Sequence, residues 1–339
     1  MPTLAETRKS SQQVQRNTDV IANLERSALE HAGKGSFVHL TAPRRLQRSR
    51  EERINWIESI PFILIHVAAL AGILWVKPTL RTALWGVFRY YSGMFLVTGV
   101  YHRYFSHRSY KMNRVWQFVA AFLACANAQK GPIWWSGMHE WHHLYADEQP
   151  DWHTPWKDFW WAHVGWILCD ATKVAPARFT RRWDEERFPE LNWLDRNYLV
   201  PPILLGLMTF LLGGWSGLFW SFIIPTVALY HGTFFINSLA HLPRLGTRRF
   251  DVPNTSRNIW WLWPITLGEN YHNNHHHERW AARQGITWWE IDPTYYGLKL
   301  ISWIRIPWIK FNTIGQRRLT VMRIVSDLKP HSEKALLTA

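Results

Sequence analysis

"IPFILIHVAALAGILWV", residues 60–76, decides the fold class: it is an almost uncharged run just long enough to span a bilayer. Three more apolar runs follow, roughly 83–101 (interrupted by Arg89), about 198–215 and about 217–236, with only "GGWSG" near the last junction. The pattern is that of an all-α integral membrane protein with four transmembrane helices in two hairpins. The alternative is a set of buried core helices in a soluble protein. The stretch 116–128 is apolar but short and ends at "AQKGP", so it reads as a helix lying in or against the membrane surface. The slightly negative mean hydropathy, −0.22, does not oppose this reading, because long polar segments dilute four apolar spans.

Composition narrows the chemistry. A chain of 339 residues can form one large or two modest domains. Its only cysteines, Cys125 and Cys169, exclude a disulfide framework, a thiolate zinc ribbon and a cysteine-held iron–sulfur cluster, so any metal here has nitrogen or oxygen ligands. A net charge of +14 would suggest nucleic acid on a soluble domain, but 24 tryptophans point to membrane interfaces, where basic segments meet anionic lipid. The partner implied is the lipid bilayer, not nucleic acid.

Residues 1–55 lack the arrangement of a signal peptide and carry many arginines, which keeps this basic N-terminal segment in the cytoplasm. Four spans then return the C-terminus to the same side. The expected organisation is a basic segment 1–55, a membrane domain 56–310 with a cytoplasmic helical cap, and a tail 311–339. The protein is thus multi-pass with both termini cytoplasmic, in the inner membrane if bacterial or the endoplasmic reticulum if eukaryotic. Lys77 and Arg81, in the first outer loop "KPTLR", run against the charge rule but are outweighed.

That topology gathers the histidines on one side. In "HEWHH" (139–143) and "HNNHH" (272–276) the i, i+3, i+4 spacing puts His139, His142 and His143 on one helix face, and likewise His272, His275 and His276, so each triplet aims three imidazoles at one spot. Two such faces could enclose metal. His102 and His107 of "HRYFSH" turn about 140° apart on a straight helix and cannot share a face; they are expected to bracket a helix end or flank a metal from two angles. His241 in "NSLAH" ends the fourth span with Asn237 one turn behind it on the same face, within reach of the cluster. The competing reading is a helix-terminal histidine bonded to the last carbonyls. His31, His39 and His331 read as solvated, and His66 as packing within the first span. His153, His163 and His231 read as structural hydrogen-bonders, and His277, about 100° from His276, is left out of the metal set.

The boxes "HRYFSH", "HEWHH" and "HNNHH", flanked in order by "GPIWW", "HVGW", "NSLAHL" and "ARQGITWWEIDPTYY", resemble the membrane-bound delta-9 acyl desaturases of the stearoyl-CoA desaturase type, from about residue 83 to 305. The resemblance implies a di-iron centre, two Fe ions held by His102, His107, His139, His142, His143, His241, His272, His275 and His276, with Asn237 reaching one iron through a water. It implies an enzyme that uses dioxygen and two electrons to place a cis double bond, at the delta-9 position, in a saturated acyl chain. The chemistry is consistent with that: no acid, base or nucleophile among the side chains removes hydrogen from an unactivated alkyl chain, so a redox metal is required. Imidazole suits iron, although affinity alone would also favour zinc or copper.

Asp147, Asp151 and Glu269 are placed in sequence to accept the second N–H of bound imidazoles, the plain alternative being caps or surface charge. The resemblance also implies a bent substrate tunnel at Gln129, Trp135 and Thr233, Trp135 otherwise reading as an interfacial anchor. Where relatives from animals carry basic residues that hold coenzyme A, this chain has "SGM" before His139 and "ILCDATK" after Trp166, so Arg178, Arg181 and Arg182 are the substitutes to consider. Acyl-CoA, acyl carrier protein and membrane lipid all stand as acyl carriers. The electrons are expected from a separate ferredoxin, flavoprotein or cytochrome. The competing functions are a di-iron alkyl or lipid hydroxylase of the same histidine-box superfamily, and a histidine-rich metal transporter or sensor. A transporter should place its ligands near the bilayer midplane, not at the span ends.

Overall fold

The computed structural model describes residues 46–49, 52–304 and 310–311. The readings of His31, His39, His331 and most of both terminal segments lie outside the described residues. The chain is mostly helical: α1 (Ile60–Trp75), α2 (Leu80–Leu96), a π-helical segment (Val97–Ser106), α3 (Arg114–Cys125), α4 (Pro132–Tyr145), α5 (Phe159–His163), α6 (Pro189–Arg196), α7 (Val200–Leu218), a π turn (Phe219–Ile223), α8 (Ile224–Leu239), α9 (His272–His277) and α10 (Pro293–Ile304). Strands β1 (Tyr110–Lys111) and β2 (Lys310–Phe311) form one antiparallel pair.

Val200–Leu239 is the one helical stretch among the described residues long and apolar enough to cross a membrane, and it folds back on itself. Gly214, at φ 57° and ψ −148°, occupies a region open in practice only to glycine. A Cβ on Gly217 would lie 2.2 Å from the Thr209 carbonyl oxygen, and one on Gly206 would lie 3.1 Å from the Phe222 ring. On a straight helix residues 206 and 222 would stand about 24 Å apart.

The loop between α1 and α2 meets this reversal. Thr79 and Thr82 cap α2 reciprocally, each hydroxyl accepting the other's backbone N–H. Trp220 Nε1 donates to the Val76 carbonyl at 2.7 Å, Ser221 Oγ donates to that of Thr82 at 3.1 Å, and the Thr82 and Ser216 hydroxyls are 2.9 Å apart. Within α1 only Ala69 and Gly72 are buried, whereas Leu64, Val67, Leu70, Ile73 and Leu74 are exposed. Small residues inside and large apolar residues outside are what helix packing in lipid calls for. Arg89, which interrupts the second run, is buried and hydrogen-bonded to the end of α3: Nη1 donates to Asn127 Oδ1 at 2.7 Å and Nη2 to the Ala126 carbonyl at 3.1 Å.

Segments between and after these helices form a unit around α4 and α9. Residues upstream of position 56 belong to its contacts: Leu46 N–H donates to the Trp156 carbonyl at 2.9 Å, Asn55 N–H to that of Leu168 at 2.9 Å, and buried Glu52 pairs with fully buried Lys157. Trp141, Trp152, Trp161 and Trp166 lie in this unit's apolar core.

Candidate metal centre

Two helices and one π segment, with the residue that ends it, His107, carry eight of the nine histidines, and each is positioned by a different device. Helix α4 starts at Pro132, and its first N–H groups are capped from outside by Asp195, whose Oδ1 accepts from Ile133 N–H at 2.9 Å and Trp134 N–H at 3.0 Å. Helix α9, "HNNHHH", has little intrinsic helix tendency and no side-chain cap of its own. Tertiary contacts hold it: Asn258 Oδ1 accepts from the N–H groups of Asn273 and Asn274 at 3.0 and 3.1 Å, and Asn273 Oδ1 accepts from Arg249 and Phe250 at 2.8 and 2.7 Å.

The third device corrects the straight-helix expectation for His102 and His107. His107 N–H donates to the His102 carbonyl at 3.2 Å, an i to i+5 bond, so the wider π turn brings residue 107 back over residue 102. Their rings lie 4.8 Å apart, on one face. A second correction concerns the triplets, which do not aim at one spot. His139 and His143 of α4 join His102, His107 and His275 in one group, while His142 joins His241, His272 and His276 in another. On an α-helix i+3 and i+4 diverge by about 100°, so i and i+4 stay together and i+3 turns to the other group; α4 and α9 make this split in opposite senses. The groups abut, with the His143 and His276 rings 4.4 Å apart. His277 lies outside both and stacks on Phe250 at 4.1 Å.

The spacing within each group fits a shared cation. The Nε2 atoms of His107 and His139 are 2.8 Å apart, those of His143 and His275 2.9 Å, and those of His102 and His275 3.0 Å; in the second group His241 to His272 and His272 to His276 are each 3.0 Å. Nitrogens about 2.1 Å from one ion and at right angles to each other stand about 3.0 Å apart. Neutral imidazoles are what a metal needs. Burial first, then neighbouring imidazoles, pushes His107, His139, His143, His272, His275 and His276 well below the ordinary histidine value.

The three carboxylates singled out in sequence each face the outer nitrogen of one of these rings. Asp151 Oδ2 lies 3.0 Å from His142 Nδ1, Asp147 Oδ2 lies 3.0 Å from His241 Nδ1, and Glu269 pairs with His102 Nδ1. Burial raises each carboxyl, yet the facing groups win: His142 and His153 hold Asp151 below its ordinary value, and His241 and the Thr255 N–H do so for Asp147. His102 and Arg103 do the same for Glu269. Burial likewise depresses His241, but Asp147 carries it above its ordinary value. A carboxylate that favours imidazolium there also raises the basicity of a metal-bound imidazole.

Other residues at the site had no motif to mark them. Fully buried Arg103 pairs with Glu269 at 3.1 Å and Asp292 at 2.9 Å and donates to the Ala282 carbonyl at 2.7 Å. Its signal was a lone charge inside "HRYFSH". Thr255 ties Asp147 in place, and Asn254 contacts His276 Nδ1 at 3.1 Å. His153, 4.4 Å from the His142 ring, is pushed by burial, with His142 next, to about 3. His66, His231 and His163 form a separate chain, with nitrogens 3.3 and 3.0 Å apart, that ends on Ser238. Arg182 is committed to Glu140 at 3.2 Å and to the Ser106 carbonyl at 3.1 Å.

A cavity of about 830 Å³ opens beside the histidines, lined by Gln129, Trp135 and Thr233 and reaching Asn237 and His139. Gln129 Nε2 donates to Thr233 Oγ1 at 3.0 Å, and Trp135 stacks on His139 at 5.2 Å. Its walls are mainly apolar, from Phe62 and Ile65 of α1 to Ile203, Leu207 and Phe210 of α7.

Residues 81–299 match the family model described as fatty acid desaturase. The chain belongs to the fatty acid desaturase family. It is 33% identical over 260 residues to an sn-1 stearoyl-lipid 9-desaturase of Anabaena variabilis, covering 75% of this chain and 93% of that one. It is 34% identical over 272 residues to delta-9 acyl-lipid desaturase 2 of Arabidopsis thaliana, covering 79% and 87%. An acyl-CoA C20 delta5-desaturase of Anemone leveillei is 28% identical over 266 residues, covering 76% and 85%. This protein is therefore an acyl desaturase, an oxidoreductase of lipid metabolism, and its histidine groups are able to hold metal.

Proposed function

We propose that this chain inserts a cis double bond at the delta-9 position of a saturated acyl chain, at a di-iron centre. His102, His107, His139, His143 and His275 would hold one ion, and His142, His241, His272 and His276 the other, with Asn237 contributing through a water. The observation that carries the reading is the meeting of two groups of buried imidazole nitrogens with one apolar cavity. When bound, the iron pair supplies the activation of dioxygen that no side chain can provide. The balance requires two hydrogen atoms (two protons with two electrons) from the acyl chain, and two more electrons and two protons from elsewhere, to reduce dioxygen to two waters. The electrons would come from a separate ferredoxin, flavoprotein or cytochrome.

The chain's own residues set geometry and exclude water. Asp151, Asp147 and Glu269 orient three of the rings, Arg103 holds Glu269, and Gln129, Trp135 and Thr233 bend the chain so that one pair of carbons faces the metals. Two hairpins, α1 with α2 and α7 with α8, would cross the membrane and leave the cap and both termini in the cytoplasm. The reversal at Gly214 and the exposed apolar faces support this. The membrane domain is read as 56–310, with residues 46–49 and 52–55 docked on its cap. Expression in a strain unable to make unsaturated fatty acids, with gas chromatography of its lipids, tests activity and bond position together. Recovery of a delta-9 cis product is expected. A hydroxylated product, or none despite bound iron, would defeat the proposal.

A further inference from the structure

One wall of the cavity beside the histidines is open. Ile203 and Leu207 of α7 line the cavity, yet they are 63% and 52% exposed, as residues on a rim are. Pro61, Phe62 and Ile65 of α1 line the same cavity. Helix α1 packs on α8 and on the Phe219–Ile223 turn, and α7 packs on that turn and on α2 and α3; α1 and α7 scarcely touch. The neighbouring exposed residues of α7, Leu204, Leu211 and Leu212, are apolar, so in a membrane this gap faces hydrocarbon. At its cap end the cavity is lined by Lys130, whose ammonium stands 5.0 Å from the Tyr198 ring and 5.7 Å from that of Trp134. No carboxylate among the described residues pairs with it directly, although its charge reaches buried Asp195, whereas Lys173, which also lines the cavity, is neutralised by Glu58 and Asp170.

We infer that the acyl chain enters sideways from the bilayer, between α1 and α7, while still esterified in a glycerophospholipid whose phosphate stays at the membrane surface against Lys130. The inference rests on the acyl-desaturase reading above and names the form of its substrate. A chain moving from lipid into an apolar cavity through an apolar gap never exposes its methylenes to water, a step that is unfavourable for every CH₂. A water-soluble thioester delivered from the cytoplasm needs no such opening. The cation is suited to the rim for a matching reason: a lysine at a lipid surface attracts a phosphate without the fixed geometry of a buried site.

The test uses the iron-loaded enzyme with its electron donor in vesicles of distearoyl phosphatidylglycerol, and in parallel with stearoyl-CoA in vesicles of dioleoyl phosphatidylcholine. Phospholipid and thioester fractions are separated before fatty acid analysis. New double bonds are expected in the chains of the phospholipid. Lys130→Gln should raise the KM for phosphatidylglycerol about five-fold with kcat unchanged, from the interaction of one lysine with an anionic surface. Ile203→Trp, which narrows the gap, should lower turnover of phospholipid about ten-fold or more with iron content unchanged. Desaturation of stearoyl-CoA with untouched phospholipid would overturn sideways entry while leaving the desaturase reading intact. An Ile203→Trp enzyme with wild-type phospholipid turnover, or an unchanged KM in Lys130→Gln, would also overturn it. If neither substrate is desaturated, the desaturase reading itself falls.

Discussion

Replacing Asp147 with Asn isolates what one carboxylate does for one ion. Asp147 Oδ2 faces His241 Nδ1 at 3.0 Å, Thr255 N–H at 2.6 Å and Thr255 Oγ1 at 2.8 Å. The residue sits at φ 67°, a conformation that Asn tolerates as well as Asp. An amide oxygen in place of Oδ2 keeps these three acceptor contacts, and the amide nitrogen in place of Oδ1 gives up only the 3.3 Å bond accepted from Thr154 Oγ1, so the substitution acts mainly by removing charge. Hydrogen bonds to charged groups contribute about 1.5–3 kcal/mol and neutral ones about 0.5–1.5. The bond that orients His241 should weaken by roughly 1–1.5 kcal/mol, about ten-fold in affinity, at the lower edge of the range for lost contacts behind a metal ligand. The assay is a chelator titration of the purified protein with iron counted per chain. Wild type should release its ions at high chelator, and Asp147→Asn should lose one ion at about ten-fold lower chelator and keep the other. His241→Ala should hold about one ion throughout and be inactive, whereas Asn237→Ala should spare more of the metal and act mainly on turnover. If Asp147→Asn follows the wild-type titration for both ions, Asp147 does not support a ligand; if His241→Ala still holds two ions, His241 is a helix cap.

Other perturbations reach different parts of the structure. Thr233→Phe, at the point where Gln129 bonds across the cavity, should shift chain-length preference or bond position with iron content unchanged; a parallel loss of both would make Thr233 structural. The metal-free protein should lose thermal stability as the pH falls below about 6.5. Six buried histidines are held well below that value, so they bind more protons when unfolded. His241, raised by Asp147, contributes in the opposite direction and is outnumbered. A melting temperature that stays level or rises from pH 7 to pH 5 would contradict this, and loading with iron should flatten the slope. Gly214→Ala should destabilise by about 1–3 kcal/mol through backbone strain alone, since nothing lies within 4 Å of the added Cβ. Its folded fraction should desaturate normally, as judged by activity per bound iron, and an unchanged melting temperature would refute the strain.

Local pattern was enough for the apolar runs, the family and the identity of the histidines that meet. An apolar run or an HxxHH spacing is a property of neighbours along the chain, and its consequence does not depend on distant packing. Even the three carboxylates opposite His142, His241 and His102 could be named from their nearness to the boxes. The division of the histidines into two groups was not legible in this way. It depends on the π turn that brings His107 over His102, and on α4 and α9 facing each other so that each sends its i+3 histidine to the other's pair. A straight-helix reading of "HRYFSH" failed because π geometry is rare and is chosen by the surroundings, not by propensity. Arg103 and Asn258 escaped notice for a similar reason: a buried charge or a cap supplied from far along the chain has no signature until its partners are brought together. The open side of the cavity between α1 and α7 is the extreme case, because a gap belongs to no residue and exists only in how two helices pack, or fail to pack, against a third.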